Sequence, residues 1–180
     1  TVQPMYPDSE AFYLTLFSDP EYIELLTAYD AVGDEDQFAA KFWVVDDLAD
    51  DVFRYRAPTG TTTDLLLLDR IDVAPQAQIP RGVATTVDGS RMWVLNEDKV
   101  VYVYDGDGAL LGSWPAPQLQ DPTGIATSGN DIWIVDKGTD SVYRFAGAAS
   151  LTSAPELNAT FVFTLNEENA SPEGIASDGA

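Results

Sequence analysis

Two chemically versatile residue types are missing from this 180-residue sequence, which contains no cysteine and no histidine. Without cysteine there is no disulfide framework, no thiolate nucleophile and no Cys-ligated zinc. Without histidine, Ser-His and Cys-His catalysis and His-ligated transition metals are excluded as well. No apolar run reaches the roughly 18 residues that a membrane-spanning helix needs, so we expect no membrane insertion.

Basic residues are scarce too, because nine Lys and Arg stand against thirty Asp and Glu and leave a formal net charge of -21. Such a chain repels phosphate backbones and anionic lipid, so we expect neither nucleic acid nor a membrane surface as a partner. Cations and basic proteins are better matched to this charge. The acidity could equally serve only to keep the protein soluble.

One pattern recurs along the chain, most completely in PTGIATSGNDIWIVDKGTDSVYRF at 122–145. PRGVATTVDGSRMWVLNEDKVVYVY repeats it at 80–104, and FWVVDDLADDVFRY repeats its second half at 42–55. Its opening returns once more as PEGIA at 172–176. Short apolar runs that are separated by Gly and Asp, at a period of roughly 40 to 50 residues, indicate a propeller or a solenoid.

Each repeat centres on an apolar run with a tryptophan: FWVVD, MWVLN or IWIVD. Apolar side chains fill consecutive positions, which predicts strands that are buried on both faces and form the inner layer of a blade. We therefore assign Trp43, Trp93 and Trp133 to the core. A partner strand of the form V[YF]x[YF] and an outer strand follow, and we expect the repeat to form a propeller blade, which has four strands. The outer strands are expected at 64–71, 109–114 and 159–165.

The repeat divides the chain into an N-terminal lead and a series of all-β blades. Residues 1–40 lack the pattern and are predicted to form an irregular lead with one short helix over 20–31, which Asp19 caps and Gly33 ends. Because propellers commonly need about four to eight blades, we expect a longer protein or several copies to complete the ring. The blades are predicted at 41–79, 80–121 and 122–171, with the start of a further blade at 172–180.

The phrase PxG[VI]A, followed by a Trp strand and V[YF]x[YF], resembles the NHL-type propeller repeats of very large bacterial secreted and cell-surface proteins. The resemblance covers about residues 41 to 180. It implies an extracellular or cell-surface location in bacteria and a non-catalytic binding or structural role, with a protein, a glycan or other copies of the chain as partner. The alternative that it implies is a metal-dependent lactonase or esterase similar to gluconolactonase, whose metal ligands are Glu, Asn and Asp from different blades.

Three oxygen-bearing side chains stand directly after the three Trp runs: Asp46, Asn96 and Asp136. If they converge at one mouth of a central channel, they could hold a divalent cation such as Ca²⁺, which prefers oxygen ligands. The structural alternative is that each side chain bonds the backbone of its own hairpin in an Asx turn. We predict either no cofactor or Ca²⁺ for this chain.

Further candidate residues lie outside this series. Asp105 and Asp107 resemble the start of a calcium loop, although a DG hairpin also accounts for this segment. Trp114 precedes Pro115 and is predicted at a strand end, where an exposed ring could bind a ligand. A second acidic cluster that could take Ca²⁺ consists of Asp30, Asp34 and Asp36.

Overall fold

A computed structural model describes residues 42–56 and 66–178. The chain divides into two compact units, Thr1–Ala39 and Ala40–Ala180, and all of the described residues belong to the second unit. The helix predicted over 20–31 and the cluster of Asp30, Asp34 and Asp36 lie outside the described residues. In the described part of the chain, no helix has the length and hydrophobicity of a membrane span.

The described residues form three antiparallel sheets, and each sheet uses strands that are consecutive in the sequence. The fold is therefore an all-β propeller arrangement of successive meanders, as predicted, with one short 3-10 turn at Ala148–Ser150. The predicted outer strands are present as the last strand of each sheet. The first sheet contains β1 (Phe42–Asp46), β2 (Asp51–Arg56) and β3 (Leu66–Asp72). The second sheet contains β4 (Pro80–Thr85), β5 (Arg91–Asn96), β6 (Val100–Asp105) and β7 (Leu110–Pro115). The third sheet contains β8 (Pro122–Ser128), β9 (Asp131–Asp136), β10 (Ser141–Phe145) and β11 (Phe161–Thr164).

The opening phrase of the repeat is itself a strand, β4 in the second sheet and β8 in the third. The Trp strands β5 and β9 are therefore second in their sheets, and the prediction that they form the innermost layer is wrong. Proline is tolerated at the first residue of an edge strand, because no ladder bond is needed there. The glycine of the phrase lets successive opening strands approach closely: a Cβ built on Gly82 would lie 3.2 Å from the backbone nitrogen of Ile125.

Neighbouring sheets pack face to face. We call the face that a sheet turns toward the preceding sheet its leading face and the opposite face its trailing face. The leading face of the second sheet bears Met92, Val94 and Tyr104, which form one core cluster with Val52 and Ile71 of the first sheet. Burying each large apolar side chain contributes about 1.5–3 kcal/mol, so these contacts hold the first two sheets together.

The trailing face of the second sheet forms the larger core cluster with the third sheet. Trp93, Leu95 and Trp114 on this face pack with Ile132 and Phe145 on the leading face of the third sheet. The assignment of Trp93 to the core is confirmed, since only 1% of its surface is exposed. The same pairing of a trailing face with a leading face thus occurs at both sheet contacts of the described chain.

Burial differs between the three Trp strands. Both faces of β5 are buried, as predicted. In β1, however, the leading-face side chains Phe42 and Val44 are 46% and 47% exposed, so the prediction of two buried faces is wrong there. Trp43 and Trp133 are half-buried and not fully buried. The difference arises because the second sheet has a neighbour on each side, whereas the first and third sheets are each covered on one face by the other described sheets.

Candidate functional site

Asp46 makes the local bonds of an Asx turn. Its Oδ1 accepts hydrogen bonds from the backbone N–H of Leu48 at 2.9 Å and of Ala49 at 3.1 Å, both in the hairpin that joins β1 to β2. Asp suits this place because its short side chain substitutes for a backbone acceptor in a tight turn. These contacts are the ones expected of an Asx turn, the alternative to a metal site at this residue.

Asp136 bonds to the loop that leads into its own sheet. Its buried Oδ2 accepts from the backbone N–H of Gln120 at 2.6 Å and of Asp121 at 3.2 Å, and its Oδ1 accepts from the Thr139 hydroxyl at 3.1 Å. These bonds satisfy the carboxylate of Asp136, which is completely buried. Asp136 therefore fixes the start of β8 relative to the end of β9, a role that sequence reasoning missed.

Asn96 has the corresponding role in the second sheet. Its side-chain oxygen accepts from the backbone N–H of Ile79 at 2.9 Å, directly before β4. Asn96 also lines a polar cavity of about 260 Å³ together with Gln76, Glu97 and Asp98. In the described part of the chain, no three His, Cys, Asp or Glu side chains are grouped so that they could hold a metal ion. Calcium binding by Asp46, Asn96 and Asp136 stays a prediction.

Asp105 and Asp107 lie in the hairpin between β6 and β7. The Oδ1 atom of Asp105 accepts from the backbone N–H of Asp107 at 3.0 Å and of Ala109 at 2.8 Å. Gly108 has a φ of +86°, which favours glycine. The hairpin explanation for these residues is confirmed, and a calcium role for Asp105 and Asp107 stays untested.

The prediction that the Trp114 ring is exposed and could bind a ligand is wrong. Its side chain is completely buried, and its ring centroid lies 5.2 Å from that of Phe145 in the third sheet. The segment after β10 covers this end of β7, since the N–H of Ala154 bonds to the carbonyl of Ser113 and that of Leu157 bonds to the carbonyl of Pro115. The covering residues come about 40 positions later in the chain, so local sequence could not reveal them.

The trailing face of the third sheet exposes large aromatic side chains. Phe161 and Phe163 of β11 are 52% and 47% exposed, and the Phe163 ring stacks on Trp133 at 5.8 Å between centroids. Trp133 and Val142 also line a groove of about 570 Å³. Their spacing of two positions in the predicted outer strand puts Phe161 and Phe163 on one face, but it does not show whether that face is covered.

Arg144 occupies the centre of this face. Its guanidinium carbon lies 5.4 Å from the Trp133 ring centroid and 5.5 Å from that of Phe161, within the range of cation–π attraction. Its Nε donates to Asp131 at 2.7 Å. The hydrogen bond from the Gly147 N–H, followed by the one from Arg144, holds the pKa of Asp131 below its ordinary value. The face is thus apolar with one fixed ion pair, between Arg144 and Asp131.

Arg54 has the same register in the first sheet as Arg144 in the third, because each pairs with the Trp of the preceding strand. Arg54 forms an ion pair with Asp69, and this hydrogen bond raises the pKa of Arg54. It also donates to the carbonyl of Gly106 in the second sheet. An arginine at this position can therefore bridge a trailing face to the sheet that covers it.

Residues 172–178 belong to none of the three described sheets, and residues 175–178 line the groove. The hydroxyl of Thr123 donates to the carbonyl of Pro172 at 2.8 Å, and Lys137 forms an ion pair with Glu173. A Cβ built on Gly124 would lie 2.8 Å from the Cα of Gly174. The third opening phrase is therefore packed against β8 much as β8 is packed against β4.

No protein-family model and no curated protein matches the sequence. Among solved structures, the chain is similar to Hsv2 of Kluyvelomyces marxianus, with 13% identity and a TM-score of 0.43 over 66% of this chain and 36% of that one. It is similar to a chain of a nidogen/laminin complex, with 14% identity and a TM-score of 0.46 over 74% and 50%. BamB of Moraxella catarrhalis gives 11% identity and a TM-score of 0.41 over 64% and 30%. These are β-propeller proteins, and the chain spans half or less of the length of each.

Proposed function

We propose that this chain is a non-catalytic binding or structural β-propeller module of the NHL repeat type, which acts outside the bacterial cell or at its surface. The trailing face of the third sheet binds the partner, which is a protein, a glycan or another copy of the chain. The repeat phrase PxG[VI]A with its Trp strand supports the repeat type and the location through its resemblance to NHL proteins.

The observation that carries the proposal is the set of exposed apolar side chains on this face. Phe161 and Phe163 are each about half exposed beside the groove that Trp133 lines. On the equivalent face of the second sheet, Trp93, Leu95 and Trp114 are buried against the third sheet and the segment after β10. Apolar patches of this kind on soluble proteins mark interaction sites, and half-exposed aromatic rings beside a guanidinium suit a protein surface or the apolar face of a sugar.

Arrays of peptides and glycans, probed with the 180-residue chain, test the proposal. We expect the chain to retain a peptide or glycan ligand and the variant Phe163→Ser to lose it. Val87→Ser is the matched control, because Val87 is fully exposed in a turn of the second sheet and should leave binding unchanged. Equal binding by both variants would place the ligand elsewhere, and hydrolysis of a lactone or ester by the purified chain would contradict the non-catalytic assignment.

A further inference from the structure

We propose that the polar cavity beside Asn96 binds one ring of a neutral sugar through its hydroxyl groups. The cavity has a volume of about 260 Å³, below the roughly 300–1,000 Å³ of sites for drug-sized ligands, so it suits a single ring. The proposal goes beyond the proposed function, because no residue of this cavity belongs to the third sheet. The lining residues come from the loop between β3 and β4 and from the end of β5 with the hairpin that follows it: Gln76, Gln78, Ile79, Asn96, Glu97 and Asp98.

Asn96 brings a buried hydrogen-bond donor to this cavity. Only 5% of its surface is exposed, and its Oδ1 accepts from the backbone N–H of Ile79 at 2.9 Å. This bond fixes which end of the amide is taken, and the side-chain nitrogen donates to none of the described residues. Buried polar groups in folded proteins have hydrogen-bond partners, so we expect a ligand in the cavity to supply an acceptor oxygen.

The equivalent residues of the other two sheets have no such donor. Asp46 and Asp136 are carboxylates, which only accept hydrogen bonds when ionised. Asp46 accepts from its own turn, and Asp136 accepts from the loop before β8 and from the Thr139 hydroxyl. The acceptor role at this position therefore suffices for the fold, and the amide nitrogen of Asn96 is free to bind a ligand.

The two segments that line the cavity are held together by the backbone. The N–H of Glu97 bonds to the carbonyl of Ile79 at 3.0 Å, and the N–H of Lys99 bonds to the carbonyl of Asn96 at 3.1 Å. With the bond from Ile79 to the Asn96 side chain, they fix the cavity wall on both sides. Binding therefore need not order this wall, which lowers its entropic cost.

The lining side chains match the chemistry of hydroxyl groups. A hydroxyl both donates and accepts, so two neighbouring hydroxyls of a sugar can bond to an amide donor and a carboxylate acceptor together. Asn96 supplies the buried donor, and the adjacent Glu97 and Asp98 supply acceptors. The amides of Gln76 and Gln78 can serve in either role.

The charges around the cavity favour a neutral ligand. Two carboxylates repel an anion. Glu97 already pairs with Arg81 at 2.9 Å, and Asp98 already accepts from the Tyr102 hydroxyl at 3.1 Å, so a cation has less to gain. Ile79 is 39% exposed and offers an apolar surface to the C–H groups of a sugar ring.

Nuclear magnetic resonance with glucose, galactose and mannose as probes tests the site. Saturation transfer from the protein to the sugar protons measures binding, and the side-chain amide signal of Asn96 reports contact in the isotope-labelled wild type. Asn96→Asp removes the donor and keeps an acceptor for the Ile79 N–H, as in the two sheets that carry Asp there. Asn130→Asp is the matched control, because it adds the same charge at an exposed residue between β8 and β9.

We expect at least one of these sugars to receive saturation from the wild type and from Asn130→Asp, and to shift the Asn96 amide signal. Asn96→Asp should lose the transfer. Gln78→Ala should weaken it, and this variant guards against misfolding because Gln78 is exposed.

No transfer from the wild type to any of the sugars would overturn the inference. Equal transfer from Asn96→Asp, or transfer that leaves the Asn96 amide signal unchanged, would overturn it as well. An amide signal that shifts with calcium chloride but with none of the sugars would also overturn it, and would support the calcium prediction instead.

Discussion

Gly124 approaches Gly174 so closely that a Cβ on Gly124 would lie 2.8 Å from the Cα of Gly174 and 3.0 Å from the backbone nitrogen of Ile175. This approach, and the similar approach of Gly82 to Gly124, explain why the opening phrase carries glycine in the second and third sheets. The backbones of successive opening strands meet at this point, and a side chain would separate them.

Replacing Gly124 by alanine should therefore destabilise the fold by overpacking, by about 1–3 kcal/mol. Urea denaturation of the variant and the wild type measures the difference. Gly174→Ala is the matched control, because a Cβ there would meet nothing within 4 Å. Equal stability of Gly124→Ala and the wild type would contradict the close packing.

Trp114→Ala should be strongly destabilising, because the ring is completely buried between the second and third sheets. Truncating a buried aromatic residue costs about 3–5 kcal/mol. The free energy of unfolding, again from urea denaturation, should change by less than about 0.5 kcal/mol for the exposed control Val87→Ala. A small effect of Trp114→Ala would instead support the original prediction of an exposed ring.

Asp136→Asn should destabilise the chain by about 1–3 kcal/mol, because a neutral amide oxygen accepts the two backbone N–H bonds less strongly than the carboxylate does. The same change at Asp46 should cost less than about 0.5 kcal/mol, since Asn also forms Asx turns and the site is exposed. Thermal unfolding of both variants gives the comparison. Indistinguishable melting temperatures would show that the buried bonds of Asp136 are not structural.

Asp131 should make the stability of the third sheet depend on acid pH. Its folded pKa lies below the ordinary value of 3.8, first through the Gly147 N–H and then through Arg144. A depressed folded pKa gives a stabilisation that is present above pH 3.8 and is lost as the pH falls through the folded pKa.

The melting temperatures of the wild type and of Asp131→Asn, compared at several pH values, check this dependence. The wild type should be the more stable protein at about pH 7, and the difference should shrink below about pH 4. A difference that stays constant down to about pH 2 would mean that the charge of Asp131 contributes nothing.

Sequence patterns predicted the all-β propeller architecture and the hairpins, because apolar periodicity and turn residues are local signals. They missed the opening strands β4 and β8, since Pro and Gly are usually depleted in strands and only a close approach of backbones explains them here. Because the opening strands were missed, the Trp strands were expected in the inner layer of the blade, where the opening strands precede them.

The candidate site was less predictable than the fold. The burial of Trp114 depends on a segment about 40 residues later, and the buried bonds of Asn96 and Asp136 reach loops 15 to 17 residues earlier. The exposure of Phe161 and Phe163 depends on which sheet stands opposite them, and no local pattern records that. Contacts between residues that are far apart in the sequence therefore could not be predicted from local patterns.

Binding of the array ligand tests most directly that the trailing face of the third sheet is the interaction surface. The wild type and the control Leu48→Ser, whose side chain is 93% exposed in the β1–β2 turn, should bind the ligand equally. Phe163→Ser on the trailing face should lose it. Equal binding by all three proteins would contradict the account.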